Sequence, residues 1–368
     1  MTMISIHSTY IHPKASEIVA ETLKSTFLSE GKVVRMFEES LTRELGFRNC
    51  VTVNSGTTAL HLALVLAGIS EGDEIILPPQ TFVATGLVIV QQGATPVFAD
   101  IDYTTGNISA ESIRQKITQK TKAIIPVHWA GYPCDMEAIA SIAKEYNLLV
   151  IEDAAHALGA SYKDEPVGNL SDFTCFSFQA IKHLTTGDGG ALVCRDADKL
   201  QEATERRWFG INRRDSPQTI LGERSYNIRQ LGYKYHLNDF AASLGMANLS
   251  GLHDRLKKRR AVADFYTLNL DKIPGIHLFN YKSDRKSAYW LFGFHVEKRM
   301  DFIKAMMARG IEASVVHQRI DRNSILGGIQ PDLIHQTQFD ETQINIPIHD
   351  GVNLEAAEMI VGAIAKGW

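Results

Sequence analysis

The feature that most restricts how this chain can fold is an alternation between Cys50 and Ala155. Short apolar runs, CVTV, EIILP, TPVFADID, KAIIPVHW and LLVIEDAA, are separated by stretches of helical character. Runs this short that are apolar at consecutive positions read as strands covered on both faces. Strands of that kind alternating with helices predict a mainly parallel α/β sheet. Ligands in such sheets bind beyond the carboxyl ends of the strands. The turn Ser55-Gly56-Thr57, the Thr81-Phe82 turn, His128-Trp129, Glu152-Asp153 and the loop holding Lys182 all follow predicted strands, so they are expected to converge on one pocket.

A chain of 368 residues is long for a single core, which predicts two domains. Residues 14–45 read as two helices broken near Ser29-Glu30-Gly31. Asn238 is expected to cap a long helical pattern running to about Leu270. The basic run LKKRRAV inside it reads as a solvated helix face and not as a nucleic-acid patch. Beyond it, the run YWLFGFHV and the helical stretches DFIKAMMARG and EAAEMIVGAIAK predict a smaller α+β domain. The expected division is 1–250 and 251–368. A net charge of −4 offers no basic field for nucleic acid or an anionic membrane. No apolar run is long enough to span a bilayer, and the N-terminus does not read as a signal peptide. Four scattered cysteines without a CxxC pair predict reduced thiols, a cytoplasmic setting and no metal site.

Chemistry concentrates between Asp172 and Cys194, a strand–loop–strand pattern whose polar loop carries one amine, Lys182. Near core strands a lysine's neutral form is favoured, and a held neutral amine attacks aldehydes. On this loop alone, a solvated surface lysine is an equal reading. Gly56 and Thr57 open an apolar helix, where free N–H groups can hold a phosphate or Ser55 and Thr57 can simply cap. Ser177 could add a hydroxyl, Phe82 a ring face, and Asp153 a carboxylate at a strand end. Anion turn, ring face, carboxylate and amine together match pyridoxal 5′-phosphate (PLP). No GxGxxG follows the first strand, which disfavours a dinucleotide-binding dehydrogenase.

The ordered motifs NSGTTALHLAL, GDEIILPPQTFVAT, GATPVFADID, KAIIPVHWAGYPCDM, IEDAAHALGA and FSFQAIKHLTTGDGG resemble those of the DegT/DnrJ/EryC1/StrS family. That resemblance extends over nearly the whole chain. It implies PLP fold type I, the aspartate aminotransferase-like fold, and sugar transamination. It places Lys182 at the Schiff-base position, Ser177 and the Gly56-Thr57 turn at the phosphate, Asp153 at the pyridine nitrogen and Phe82 over the ring. His156 stands where many members have a glutamine near the phenolic oxygen; a satisfied histidine under the helix is the other reading. Lys234 replaces the usual asparagine of a segment that reaches the partner's phosphate, and Asp188 replaces a glutamate.

The resemblance further implies a homodimer with a shared active site, L-glutamate as donor and a nucleotide-linked keto-sugar as acceptor. The product would be an amino sugar for a surface polysaccharide or a glycosylated metabolite. A branch with histidine at the lysine position dehydrates sugars, but register puts Lys182 there and His183 beside it. Dehydration, or amination of a free keto-sugar or cyclitol, is the alternative. His317 and Arg319 are substrate-contact candidates by position alone.

Overall fold

The computed structural model describes residues 3–213 and 215–368. Seven strands form the central sheet: β1 Val51–Val53, β2 Glu74–Leu77, β3 Thr95–Phe98, β4 Thr121–Ile124, β5 Leu149–Asp153, β6 Phe173–Ser177 and β7 Gly190–Cys194. Their spatial order is β1-β7-β6-β5-β4-β2-β3. Only β7 runs against the rest. It pairs antiparallel with both β1 and β6, which closes the strand–loop–strand unit around Lys182.

Alternate residues of these strands face opposite sides of the sheet and serve different cores, which is why the runs are largely apolar on both faces. Ile75 and Cys175 pack into one cluster, while Ile76 and Phe176 pack into others. The Gly56–Leu66 helix is apolar around nearly its whole circumference, with Leu60, Leu62, Leu64 and Leu66 all buried. A helix of that composition is stable only inside a protein. Its burial against the sheet fixes its N-terminus at the strand ends.

A second sheet is antiparallel: β8 Ile276–Leu278, β9 Phe292–Val296 and β10 Gln343–Ile346, with β9 in the middle. Tyr266, Phe294, Phe302, Ile344 and Ile360 form its core with the flanking helices. The long helical pattern from Asn238 is two helices, Asp239–Leu249 and Leu252–Leu270. Asn238 caps the first through its side-chain oxygen, which accepts the Ala241 N–H at 2.8 Å. Gly251, at φ 72°, separates the two.

The basic run corrects the expectation of a uniformly solvated face. Lys257 and Lys258 are exposed, but Arg259 is buried and lies 3.3 Å from Asp350. Arg260 donates to the carbonyls of Ser287 and Gly159 at 2.9 and 2.7 Å. These arginines tie the second helix to the loops at Gly159, Ser287 and Asp350. All four cysteines are free and buried. Among the described residues no helix is long and apolar enough to cross a membrane.

Candidate active site

The strand ends meet as the alternation requires. Ser55 caps the Gly56–Leu66 helix: its hydroxyl accepts the Thr58 N–H at 3.1 Å, and the Thr58 hydroxyl accepts the Ser55 N–H at 3.2 Å. The N–H groups of Gly56 and Thr57 have no partner inside the helix and sit at its positive end. A Cβ on Gly56 would approach the Ser177 Cβ to 2.9 Å. Only glycine therefore lets the helix terminus come this close to the end of β6.

Asp153 ends β5 and is 6% exposed. Thr85 donates its hydroxyl to Oδ2 at 2.7 Å, and the Ala155 N–H donates to Oδ1 at 3.1 Å. Burial raises the Asp153 pKa, and these donors together with the Lys182 charge pull it back. Thr81 lies 2.8 Å from Thr85, hydroxyl to hydroxyl. Because the Thr85 proton goes to Asp153, Thr81 donates to Thr85.

Lys182 lies on a turn in which its N–H donates to the Gln179 carbonyl at 2.9 Å. It lines a cavity, so part of its surface stays accessible although protein surrounds it. Burial lowers its pKa to about 7, with Asp153 opposing the shift. The amine stands 3.6 Å from the Trp290 ring centre. His156 stacks on Trp290 at 3.7 Å, and His317 approaches the same indole at 5.8 Å. Tyr289 and Val316, immediately before Trp290 and His317, have φ of 47° and 57°. Left-handed backbone at bulky residues costs about 1–3 kcal/mol each, and such strain concentrates at functional sites.

The cavity these groups enclose is about 290 Å3. It brings together the predicted Gly56, Thr57, Phe82, Asp153, His156, Ser177, Lys182 and His317. Phe82 stands at 54% exposure with its ring 5.3 Å from that of His317. Five predicted participants lie elsewhere, the fully buried Trp129 among them. His128 and Glu152 are buried behind the cavity and bond each other at 2.7 Å. The Cys134 N–H donates to His128 Nδ1 at 3.1 Å, so the histidine's remaining proton sits on Nε2, toward Glu152. Arg319 is turned away from the cavity. Its guanidinium forks onto Asp321 at 2.7 and 2.6 Å and donates to Thr337 at 2.8 Å. Lys234 is exposed and lies 4.7 Å from the Trp208 ring centre, outside this chain's cavity. Trp290 and Thr85 are cavity residues that sequence reading did not single out.

Residues 10–365 match the family model described as the DegT/DnrJ/EryC1/StrS aminotransferase family. The chain belongs to this family. GDP-perosamine synthase of Escherichia coli O157:H7 is 38% identical over 292 residues, 79% of this chain and 77% of that protein. The sugar aminotransferase CalS13 from Micromonospora echinospora superposes with a TM-score of 0.94 at 32% identity, covering 100% of both chains. Spr1654 from Streptococcus pneumoniae, solved in PLP and PMP forms, matches its PLP form with a TM-score of 0.90 at 28% identity, over 99% of this chain and 98% of that one.

The DegT/DnrJ/EryC1/StrS aminotransferases use PLP, and the site fits it. The Gly56–Ser177 cradle offers N–H groups and a hydroxyl to an anion. His156 Nδ1 is buried with no hydrogen-bond partner among the described residues. Burial holds that imidazole well below its usual pKa, so it is neutral. Among residues lining the cavity, Lys182 is the one lysine or arginine.

Proposed function

We propose that this sugar aminotransferase moves the amino group of L-glutamate onto a keto-sugar carried by a nucleotide. The observation that carries the reading is one cavity holding the Lys182 amine, the Asp153 carboxylate and the Gly56 helix terminus. PLP bound there supplies an electron sink to the reacting carbon. Gly56, Thr57 and Ser177 would hold its phosphate, Asp153 its ring nitrogen and His156 its phenolic oxygen. Phe82 would cover the ring. Lys182, with a pKa near neutrality, is suited to carry a proton between the amino acid carbon and the cofactor. His317 at the mouth would meet the sugar.

We further read the enzyme as a homodimer in which Lys234 reaches the partner's phosphate. Supporting this, a site that must hold a phosphate, two glutamate carboxylates and a diphosphate has a single cation in its own lining. Within each chain we read residues 1–250 as the large domain and 251–368 as the small one, parted near Gly251. Dehydration is the weaker reading. His183 turns from the cavity, and its Nε2 donates to the Ala288 carbonyl at 2.9 Å.

The test is nitrogen-15 glutamate with a panel of nucleotide-linked 3-keto and 4-keto sugars. Label in the sugar product supports the proposal. Label appearing only with free keto-sugars, or a deoxygenated product without nitrogen, overturns it. Mixing Lys182→Ala and Lys234→Ala proteins tests the shared site, because a hybrid dimer regains one intact pocket. No activity above that of the separate proteins would refute the sharing.

A further inference from the structure

Trp290 is 2% exposed, and its position is fixed from several sides. Its indole N–H donates to the carbonyl of Ile181, the residue before Lys182, at 3.1 Å. His156 lies on it at 3.7 Å with the planes 15° apart. The Lys182 Nζ lies 3.6 Å from the ring centre. Two groups cannot share one face at those distances, so the indole is sandwiched between His156 and Lys182. Among the described residues the Lys182 Nζ makes no hydrogen bond; its close contact is this π-face.

We propose that Trp290 is a positioning residue for Lys182: its indole face holds the lysine nitrogen, as a cation, against the cavity wall whenever that nitrogen is free of cofactor. A desolvated ammonium is attracted to the negative face of an indole more strongly than to any other side-chain ring. An amine displaced during turnover would then stay beside the reacting atoms instead of swinging through the cavity. The pinned ring and the left-handed backbone at Tyr289 keep that docking face in place.

The other charged and titratable groups around the pair are Asp153, Asp188, Cys175, His7, His156, His183 and His317. Burial brings His7 to about 4 and His317 to about 3, and holds His156 and His183 well below their usual value. These imidazoles are neutral near pH 7, where Lys182 itself titrates. Asp153 remains in place when Lys182 is replaced, so that variant separates the two.

The test uses the full chain freed of cofactor. A protonated amine against an indole quenches its emission. Wild-type fluorescence should therefore rise through a midpoint near pH 7. That step should be missing from Lys182→Met and from Trp290→Phe, because each lacks one member of the pair. The pH profile of PLP capture, followed by growth of the visible band, then reads the amine's own midpoint. We expect Trp290→Leu to lower it by about 0.5–1 pH unit, with Trp290→Phe in between. A fluorescence step that persists in Lys182→Met, or equal capture midpoints in wild type and Trp290→Phe, overturns the proposal. The Phe variant decides the matter even if the Leu variant fails to fold. Neither readout needs glutamate or a sugar, so failure of the nucleotide-sugar reading would leave both unchanged.

Discussion

Thr85 donates its hydroxyl to Asp153 Oδ2 at 2.7 Å across the floor of the cavity. Burial alone would push this carboxyl toward its neutral form, and the Thr85 bond opposes that. Thr85→Val keeps the shape and removes the donor. Hydrogen bonds to charged groups contribute about 1.5–3 kcal/mol, so kcat should fall roughly ten- to a hundredfold. Losing this donor raises the Asp153 pKa further, so the acid limb of the kcat profile should move to higher pH. Steady-state kinetics from pH 5 to 9 check both effects.

Phe82 is half-exposed beside His317 and has no buried packing role. Phe82→Ala should leave the melting temperature nearly unchanged. It should weaken PLP binding by up to about tenfold, the size of one stacking contact. Equilibrium dialysis measures the affinity, and an unchanged value would remove Phe82 from the cofactor's surroundings.

Arg319 and Asp321 form a buried fork, with Asp321 fully inaccessible. Arg319→Met leaves that carboxylate buried without its partner, at a cost of about 3–5 kcal/mol. The expected result is a large drop in melting temperature, with KM for the sugar changed less than twofold in protein that remains folded. A large KM increase in protein of normal stability would instead make Arg319 a substrate contact.

Lys182 has its folded pKa lowered from 10.5 to about 7. Below pH 7 the lysine is charged in both states, and its burial penalty is present in full. Between about 7 and 10.5 the unfolded chain binds more protons than the native one, so the penalty fades as pH rises. In cofactor-free protein, Lys182→Met should therefore be the more stable form at pH 6–7, by at least roughly 1–2 °C. The difference should shrink by pH 10. Thermal scans at the two pH values test the sign.

The parts of the site legible from the strand–helix alternation alone are those that end a strand. Asp153, Ser177 and the Gly56 turn each close an apolar run, and the sheet brings all such ends to one edge. Trp290 was not legible, because it reaches the cavity from beside β9, more than one hundred residues after Lys182, through a left-handed turn at Tyr289. Arg319 shares its stretch with His317, but the acid two residues on, Asp321, takes its guanidinium. Arg259 sits in a charged run and is drawn inward by Asp350, which nothing local announces. The reversed direction of β7 was equally hidden, since an apolar run reads the same for either strand polarity.

The central claim is that the Lys182 amine bonds to the PLP aldehyde inside this cavity. The most direct measurement is to load the protein with PLP, reduce it with borohydride and map the modified peptide by mass spectrometry. The account predicts one pyridoxyl group, on Lys182, and a visible band that L-glutamate bleaches before reduction. A label on another lysine, or a protein that takes up no PLP and stays colourless, would contradict it.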